Sequence, residues 1–246
     1  MRLTHIGPTF PPMSTLLFAL LFAAATPADF TQAIRDQDVA KVQSMLEADP
    51  SLATSKSVTS AMFLLINKEK FMQPRKNQIL QLVLARHPKL DLWQTAALGT
   101  SEELAAMLKP ELVNALNEFG WAPIHLAAFA GNTANVRLLL DRGADIRLRA
   151  KTKFRNTPFL VAMLTGHIET IRLLLDRGAD VMDRQHEGTA ALHEAAFVGD
   201  LELVKLLVER GAETGPRTDD GKTPLDFAIR EKHEDVAEFL RSKGVR

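Results

Sequence analysis

Two histidines, His125 and His193, stand in like contexts, PIHLAAF and ALHEAAF. An imidazole titrates near neutrality and could act as a base or a metal ligand. His186, Glu187, His193 and Glu194 add further metal-binding side chains. They fall on a turn and the helix after it, and no second cluster faces them to close a coordination sphere. Ser51, Ser57 and Ser60 lack the strand-turn-helix context of a nucleophile elbow, and no glycine loop suited to cradling phosphate occurs. The absence of cysteine excludes disulfides, thiolate zinc sites, a cysteine nucleophile and lipid attachment at cysteine. We therefore expect no catalytic, cofactor-binding or metal-binding residues. Recognition chemistry is richer. Arg147, Arg149, Lys151, Lys153 and Arg155 alternate within GADIRLRAKTKFRNT. Alternate residues of an extended segment share a face, so these cations suit an acidic partner surface and would steer association more than set affinity. The plainer expectation is a solvated loop.

The elements that must position these groups recur. GWAPIHLAAFAGNTANVRLLLDRGAD, RNTPFLVAMLTGHIETIRLLLDRGAD and GTAALHEAAFVGDLELVKLLVERGAE are three copies of one unit. Their closing glycines, Gly143, Gly178 and Gly211, stand 35 and 33 residues apart, a period that marks a stacked repeat array. Each copy reads as a short helix, a glycine turn (Gly131, Gly166, Gly199) and a second helix with Val136, Leu139 and Leu140, or their equivalents, on one face. Pro123, Pro158 and Pro224 stand at helix starts, with Thr157 and Thr223 as caps; Ala122 and Ala190 take the cap slot elsewhere. One such pair cannot bury its apolar face alone; stacked copies bury a continuous core.

These residues resemble the ankyrin repeat. The matching features are Thr157-Pro158, Thr223-Pro224, Ile124-His125, Leu192-His193, Ala127-Ala128, Ala195-Ala196 and the Gly-Ala-Asp endings. The resemblance is strong from 117 to 246. It implies an all-α solenoid of stacked helix-turn-helix units joined by projecting hairpins, a concave surface that binds another protein, and no catalytic residues. It also makes His125 and His193 inter-repeat hydrogen-bonding residues. The slot just past the Ala-Ala pair points into the groove in such repeats, and here it holds Phe129, Leu164, Phe197 and Arg230. With repeats about 10 Å apart, the three apolar members would form a stripe, and Phe119, Trp121 and Phe154 on the hairpins would extend it. Aromatic anchors are what binding hot spots favour. The expected partner-binding set is Phe119, Trp121, Phe129, Arg149, Lys151, Lys153, Phe154, Leu164 and Phe197. An alternative is that Phe129 and Phe197 pack against neighbouring helices.

The rest of the 246-residue chain fits this frame. Residues 1–28 read as a signal peptide: Arg2, an apolar run STLLFALLFAAATPA, and small residues at Ala23-Ala24-Ala25 or Thr26-Pro27-Ala28 for cleavage. Export to the periplasm or exterior is expected. An uncleaved leader would be the sole membrane contact, and the protein is cytoplasmic if the leader does not function. Residues 29–116 read as about three degenerate repeats, with a longer interior loop at 71–77, and with Asp49-Pro50, His87-Pro88 and Lys109-Pro110 ending helices in place of Gly-Ala-Asp. An unrelated helical cap is the alternative there. Residues 117–246 hold four regular repeats, the last a polar C-terminal cap in which Lys232 replaces the interior glycine. Thirty basic and thirty acidic residues balance to zero net charge, giving no global pull toward nucleic acid. The expected function is non-enzymatic protein-protein interaction with no small-molecule substrate. The alternative function is a structural or stabilising periplasmic factor without a specific groove ligand.

Overall fold

The computed structural model describes residues 26–54, 57 and 78–245. Residues 1–25, Ser60 and the interior loop at 71–77 lie outside the described residues. Thirteen α-helices occur among the described residues. They are α1 (Pro27–Arg35), α2 (Val39–Ala48), α3 (Gln78–Leu84), α4 (Leu92–Leu98), α5 (Ser101–Met107), α6 (Pro123–Phe129), α7 (Thr133–Asp141), α8 (Pro158–Thr165), α9 (Ile168–Asp176), α10 (Ala191–Val198), α11 (Leu201–Glu209), α12 (Pro224–Glu231) and α13 (Glu234–Ser242). The shorter helices α4, α6, α8, α10 and α12 pack on one another in order, and each lies against its own outer helix. The fold is thus an all-α ankyrin-type solenoid.

Local sequence accounts for the helix ends. Pro123, Pro158 and Pro224 each open a helix, at the position where a missing N–H is harmless. Thr157 and Thr223 cap two of these helices, their hydroxyls accepting N–H bonds from Leu160 and Asp226. Gly166, Gly199 and Lys232 close α8, α10 and α12 in the left-handed region, so Lys232 adopts the glycine conformation at some backbone cost. Asp49-Pro50 and Lys109-Pro110 do more than stop α2 and α5: each proline opens a 3-10 turn, Pro50–Leu52 and Pro110–Leu112.

Two apolar clusters form the interior. The larger joins α4 through α13 and includes Phe159, Leu160, Leu174, Leu192, Leu207 and Leu240. The second is built by Phe30, Ile34, Leu46, Leu80 and Val83 of α1 to α3, and it takes in Ala97, Leu126 and Ala130 from α4 and α6. The irregular N-terminal part and the regular repeats therefore share a core.

Polar side chains seal the junction at α4. That helix ends at Gly99, whose φ of −79° forgoes the left-handed closure, leaving C-terminal carbonyls to be satisfied otherwise. Asn135 Nδ2 donates to the carbonyls of Thr95 (3.1 Å), Ala96 (3.0 Å) and Gly99 (3.1 Å). Asn132 Nδ2 reaches Ala97 (3.2 Å) and Gly99 (3.0 Å). Farther along, absent side chains make room. A Cβ on Gly199 would lie 2.3 Å from the His233 ring, whose Nε2 is 3.2 Å from the Phe197 carbonyl. The outer helices are laced by a repeating ion pair, Arg177–Asp141 and Arg210–Asp176, both at 2.8 Å. Such solvated pairs contribute little, but they mark the repeat register.

Candidate functional site

The hairpins between repeats set the geometry of the projecting surface. Each closes by a backbone bond across its base: Asn117 N–H to Trp121, Ala150 N–H to Asn156, Gln185 N–H to Thr189 and Thr218 N–H to Lys222. Neighbouring fingers are also tied edge to edge. Lys151 N–H donates to the Gly120 carbonyl (2.8 Å), and Asp219 N–H to that of Glu187 (3.1 Å). Gly120 permits this approach, because a Cβ there would lie 2.5 Å from the Lys151 oxygen.

His125 and His193 are clamps between helix and hairpin. The Ala122 N–H donates to His125 Nδ1 (3.2 Å). That fixes the proton on Nε2, which donates to the Leu148 carbonyl (2.9 Å). His193 repeats the arrangement with the Ala190 N–H (3.1 Å) and the Lys222 carbonyl (3.0 Å). Both rings are fully buried. Burial pushes His125 down to about 4, against the weaker opposing effect of its backbone hydrogen bonds, and depresses His193 as well. With both nitrogens of each neutral ring engaged, neither is poised for a metal or a proton transfer. Gln94 and Asp226 occupy the same slot and likewise accept the N–H of their cap residue. At Ala122 and Ala190 no cap side chain bonds the first-turn N–H groups, but each alanine's own N–H is accepted by the histidine three positions on. Only this half of the reciprocal capping arrangement is present at the alanines. Ser57, another residue weighed for chemistry, is buried and donates to the Leu52 carbonyl (2.7 Å). The His186 side chain lies outside the described residues.

The expected groove stripe divides along its length. Phe129 does not join a surface: it is 2% exposed and packs edge-on to Trp121, ring centroids 6.3 Å apart. Every residue of α6 is buried: Ile124, Ala127, Ala128 and Phe129 belong to the larger cluster, while Leu126 and the following Ala130 join the cluster built by α1 to α3. The slot is open farther on, where Leu164 and Phe197 are half-buried. Phe197 meets Phe227 of the next repeat at 6.3 Å, and the Arg230 guanidinium lies over both rings, at 5.4 and 4.9 Å. Glu194 stands three residues before Phe197 on α10, hence on the same helix face. Burial pushes its carboxyl above the usual carboxylate range. No ion pair reaches it among the described residues. The sequence reading missed Glu194 as a groove residue. The signal that could have found it is the slot Leu126, Val161, Glu194, Phe227, in which one carboxylate interrupts an apolar series.

On the fingers, Phe119 and Phe154 are 48% and 53% exposed, while Trp121 is half-buried. Lys151 and Lys153 are exposed, and Lys153 Nζ lies 5.9 Å from the Phe154 ring. Arg149 is drawn inward: it pairs with Asp183 of the next hairpin and donates to the Arg155 carbonyl (3.0 Å). Asp183 also accepts from the Thr157 hydroxyl (2.8 Å). The basic face is thus not a uniform row. Arg149 is a bridge between fingers, with Lys151 and Lys153 facing water.

The stacked helix pairs, the histidine clamps and the linked fingers together describe a repeat solenoid, and a family comparison gives it a name. The family model described as Ankyrin repeats (3 copies) matches residues 92–185 and 160–246. These matches cover more than half of the chain, which therefore belongs to the ankyrin-repeat family. The match begins at residue 92, so it takes in α4 and α5 ahead of the most regular copies. No curated protein matches the chain. Ankyrin repeats generally mediate protein-protein interaction, and the family is typically non-enzymatic.

Proposed function

We propose that this chain is a non-enzymatic interaction module that holds another protein between the open part of its inner-helix face and its fingers. The observation that carries this reading is the half-buried strip Leu164, Glu194, Phe197 and Phe227, with Arg230 over its last two rings and Phe119 and Phe154 exposed on the fingers. Apolar rings with one carboxylate and one guanidinium among them supply an anchor and two polar ends, a composition suited to an interface core. Trp121, Arg149, Lys151 and Lys153 complete the contact set. Phe129 supports Trp121 from beneath.

Substituting Leu164→Glu together with Phe197→Glu tests the strip. Circular dichroism and cooperative urea unfolding should persist, because both side chains are already partly solvated. Affinity capture from the native compartment should lose the partner retained by the unaltered protein. A folded double variant that still retains it overturns the groove assignment.

We further propose, from the apolar run STLLFALLFAAATPA ahead of α1, that the protein acts outside the cytoplasm after removal of a leader. The start of α1 favours cleavage after Ala25 over cleavage after Ala28. Thr26 caps α1, its hydroxyl accepting the Asp29 N–H (3.2 Å) while its own N–H donates to Asp29 Oδ2 (3.0 Å). Pro27 and Ala28 form the first turn. A cut after Ala25 keeps the cap and sets a new α-amino group beside the Asp29 carboxylate, whereas a cut after Ala28 removes both cap and turn. Amino-terminal sequencing of a C-terminally tagged protein should begin at Thr26. A sequence beginning at Met1 overturns removal of the leader, and recovery of the tagged protein in the cytoplasmic fraction overturns export.

A further inference from the structure

A cleft of about 320 Å³ opens between the fingers at 146–156 and 181–189, lined by Arg149, Lys153, Phe154, Arg155, Arg184 and Gln185. Four of the six are cationic. Arg149 and Arg184 are anchored at the cleft wall: Arg149 pairs with Asp183, and Arg184 pairs with Glu213 (3.3 Å) and donates to the Arg217 carbonyl (3.0 Å). Both guanidiniums are thereby held in place. Lys153 and Arg155 are exposed and have no ion-pair partner among the described residues. The cleft thus carries two positive charges more than its own acids neutralise.

Two further observations concern residues that line the same space. Gln185 Nε2 is shielded from solvent and has no acceptor. A buried amide N–H left unmade is costly, so such a group calls for a partner. Arg155 holds a φ of 50°, a left-handed backbone that glycine or asparagine adopts at lower cost. Strain of this kind persists where the surrounding structure enforces it, often at binding sites. Phe154, between the two unpaired cations, is more than half exposed.

We propose that this cleft recognises a carboxylate, taking an aspartate or glutamate side chain of an acidic partner segment while an apolar neighbour of that residue rests on Phe154. Arg155 and Lys153 supply charge, and the Gln185 amide donates to a carboxylate oxygen. A polyanion fits poorly. The chain is neutral overall and the surplus is only two cations, because Asp183 and Glu213 already pair with Arg149 and Arg184. The assignment rests on the interaction-module reading and specifies what one part of its surface binds.

The test uses the full chain and a fluorescein-labelled peptide of alternating glutamate and leucine, with glutamine replacing glutamate in the control peptide. Fluorescence anisotropy should show the acidic peptide bound about tenfold more tightly than the control at low salt. The pair Lys153→Gln and Arg155→Gln should erase that preference and flatten its salt dependence. The charge-matched pair Lys109→Gln and Arg142→Gln should leave it intact. Gln185→Leu should weaken binding several-fold while the salt dependence remains. Equal binding of both peptides, or equal loss in the two charge-matched pairs, overturns the proposal. So does displacement of the peptide by inorganic phosphate at lower concentration than by acetate. The Leu164→Glu and Phe197→Glu protein should still bind the peptide, so failure of the cleft and failure of the groove read out separately.

Discussion

Replacing His125 with alanine is expected to lower the unfolding free energy by about 3–4 kcal/mol at neutral pH, measured by urea denaturation. The ring is fully buried. Its loss leaves a cavity and strands two buried backbone groups, the Ala122 N–H and the Leu148 carbonyl. His125→Gln should recover part of the loss. Gln94 occupies the same slot of α4 and accepts the Asp91 N–H through its own side chain (3.1 Å). A loss below about 1 kcal/mol for His125→Ala would show that the clamp is not a stabilising element.

The same residue sets an acid dependence. In the folded state burial holds His125 at about 4, against an ordinary value of 6.5. The unfolded chain therefore binds the proton more readily than the folded one. The contribution of neutral His125 is complete above pH 6.5 and declines as pH falls toward about 4. At about 1.4 kcal/mol per pH unit, that decline amounts to roughly 3 kcal/mol. His193, also depressed by burial, adds to the slope in the same direction. Urea midpoints collected through this range should fall more steeply for the unaltered protein than for His125→Gln. Parallel slopes would rule out the assignment.

Asn135→Ala is the second large expected effect, about 2–4 kcal/mol. Asn135 is fully buried and its amide serves three carbonyls at the end of α4. Asn132 still reaches Ala97 and Gly99 in the variant, so the Thr95 and Ala96 carbonyls lose their side-chain donor. Ser101, whose hydroxyl donates to Asn135 Oδ1 (2.9 Å), loses its acceptor too. Asn135→Asp should be as damaging, because a carboxylate offers acceptors where donors are required. Hydrogen exchange should place the added opening at α4 and α5, ahead of the regular repeats. Uniform destabilisation along the whole chain would mean that the junction is not a separate weak point.

The helix starts at Pro123, Pro158 and Pro224 and the turns at Gly166 and Gly199 are legible in the sequence because their causes are local. Proline fixes its own φ, and a left-handed turn favours glycine whatever surrounds it. Repetition then converts local legibility into fold, because each copy must bury its face on the next. The site is less legible. The slot holding Phe129, Leu164, Phe197 and Arg230 could be found by counting. Which members stay open could not, because Phe129 is closed by tertiary packing, in the larger cluster and against the Trp121 ring, that spacing does not specify. Arg149 shows the same limit. Its alternation with Lys151 and Lys153 is written in the chain, but its pairing with Asp183 depends on how two hairpins stand side by side.

By itself, then, the sequence determined the period, the helix pairs, their caps and the family. Those follow from backbone preference and from a hydrophobic pattern that recurs every 33 or 35 residues. The tertiary structure alone decided that Phe129 is interior, that Glu194 lies unpaired beside Phe197, that Asn135 closes α4, and that Lys153, Arg155 and Gln185 share one cleft. Burial, hydrogen-bond satisfaction and charge pairing depend on neighbours brought close across repeats, and spacing along one chain does not specify them.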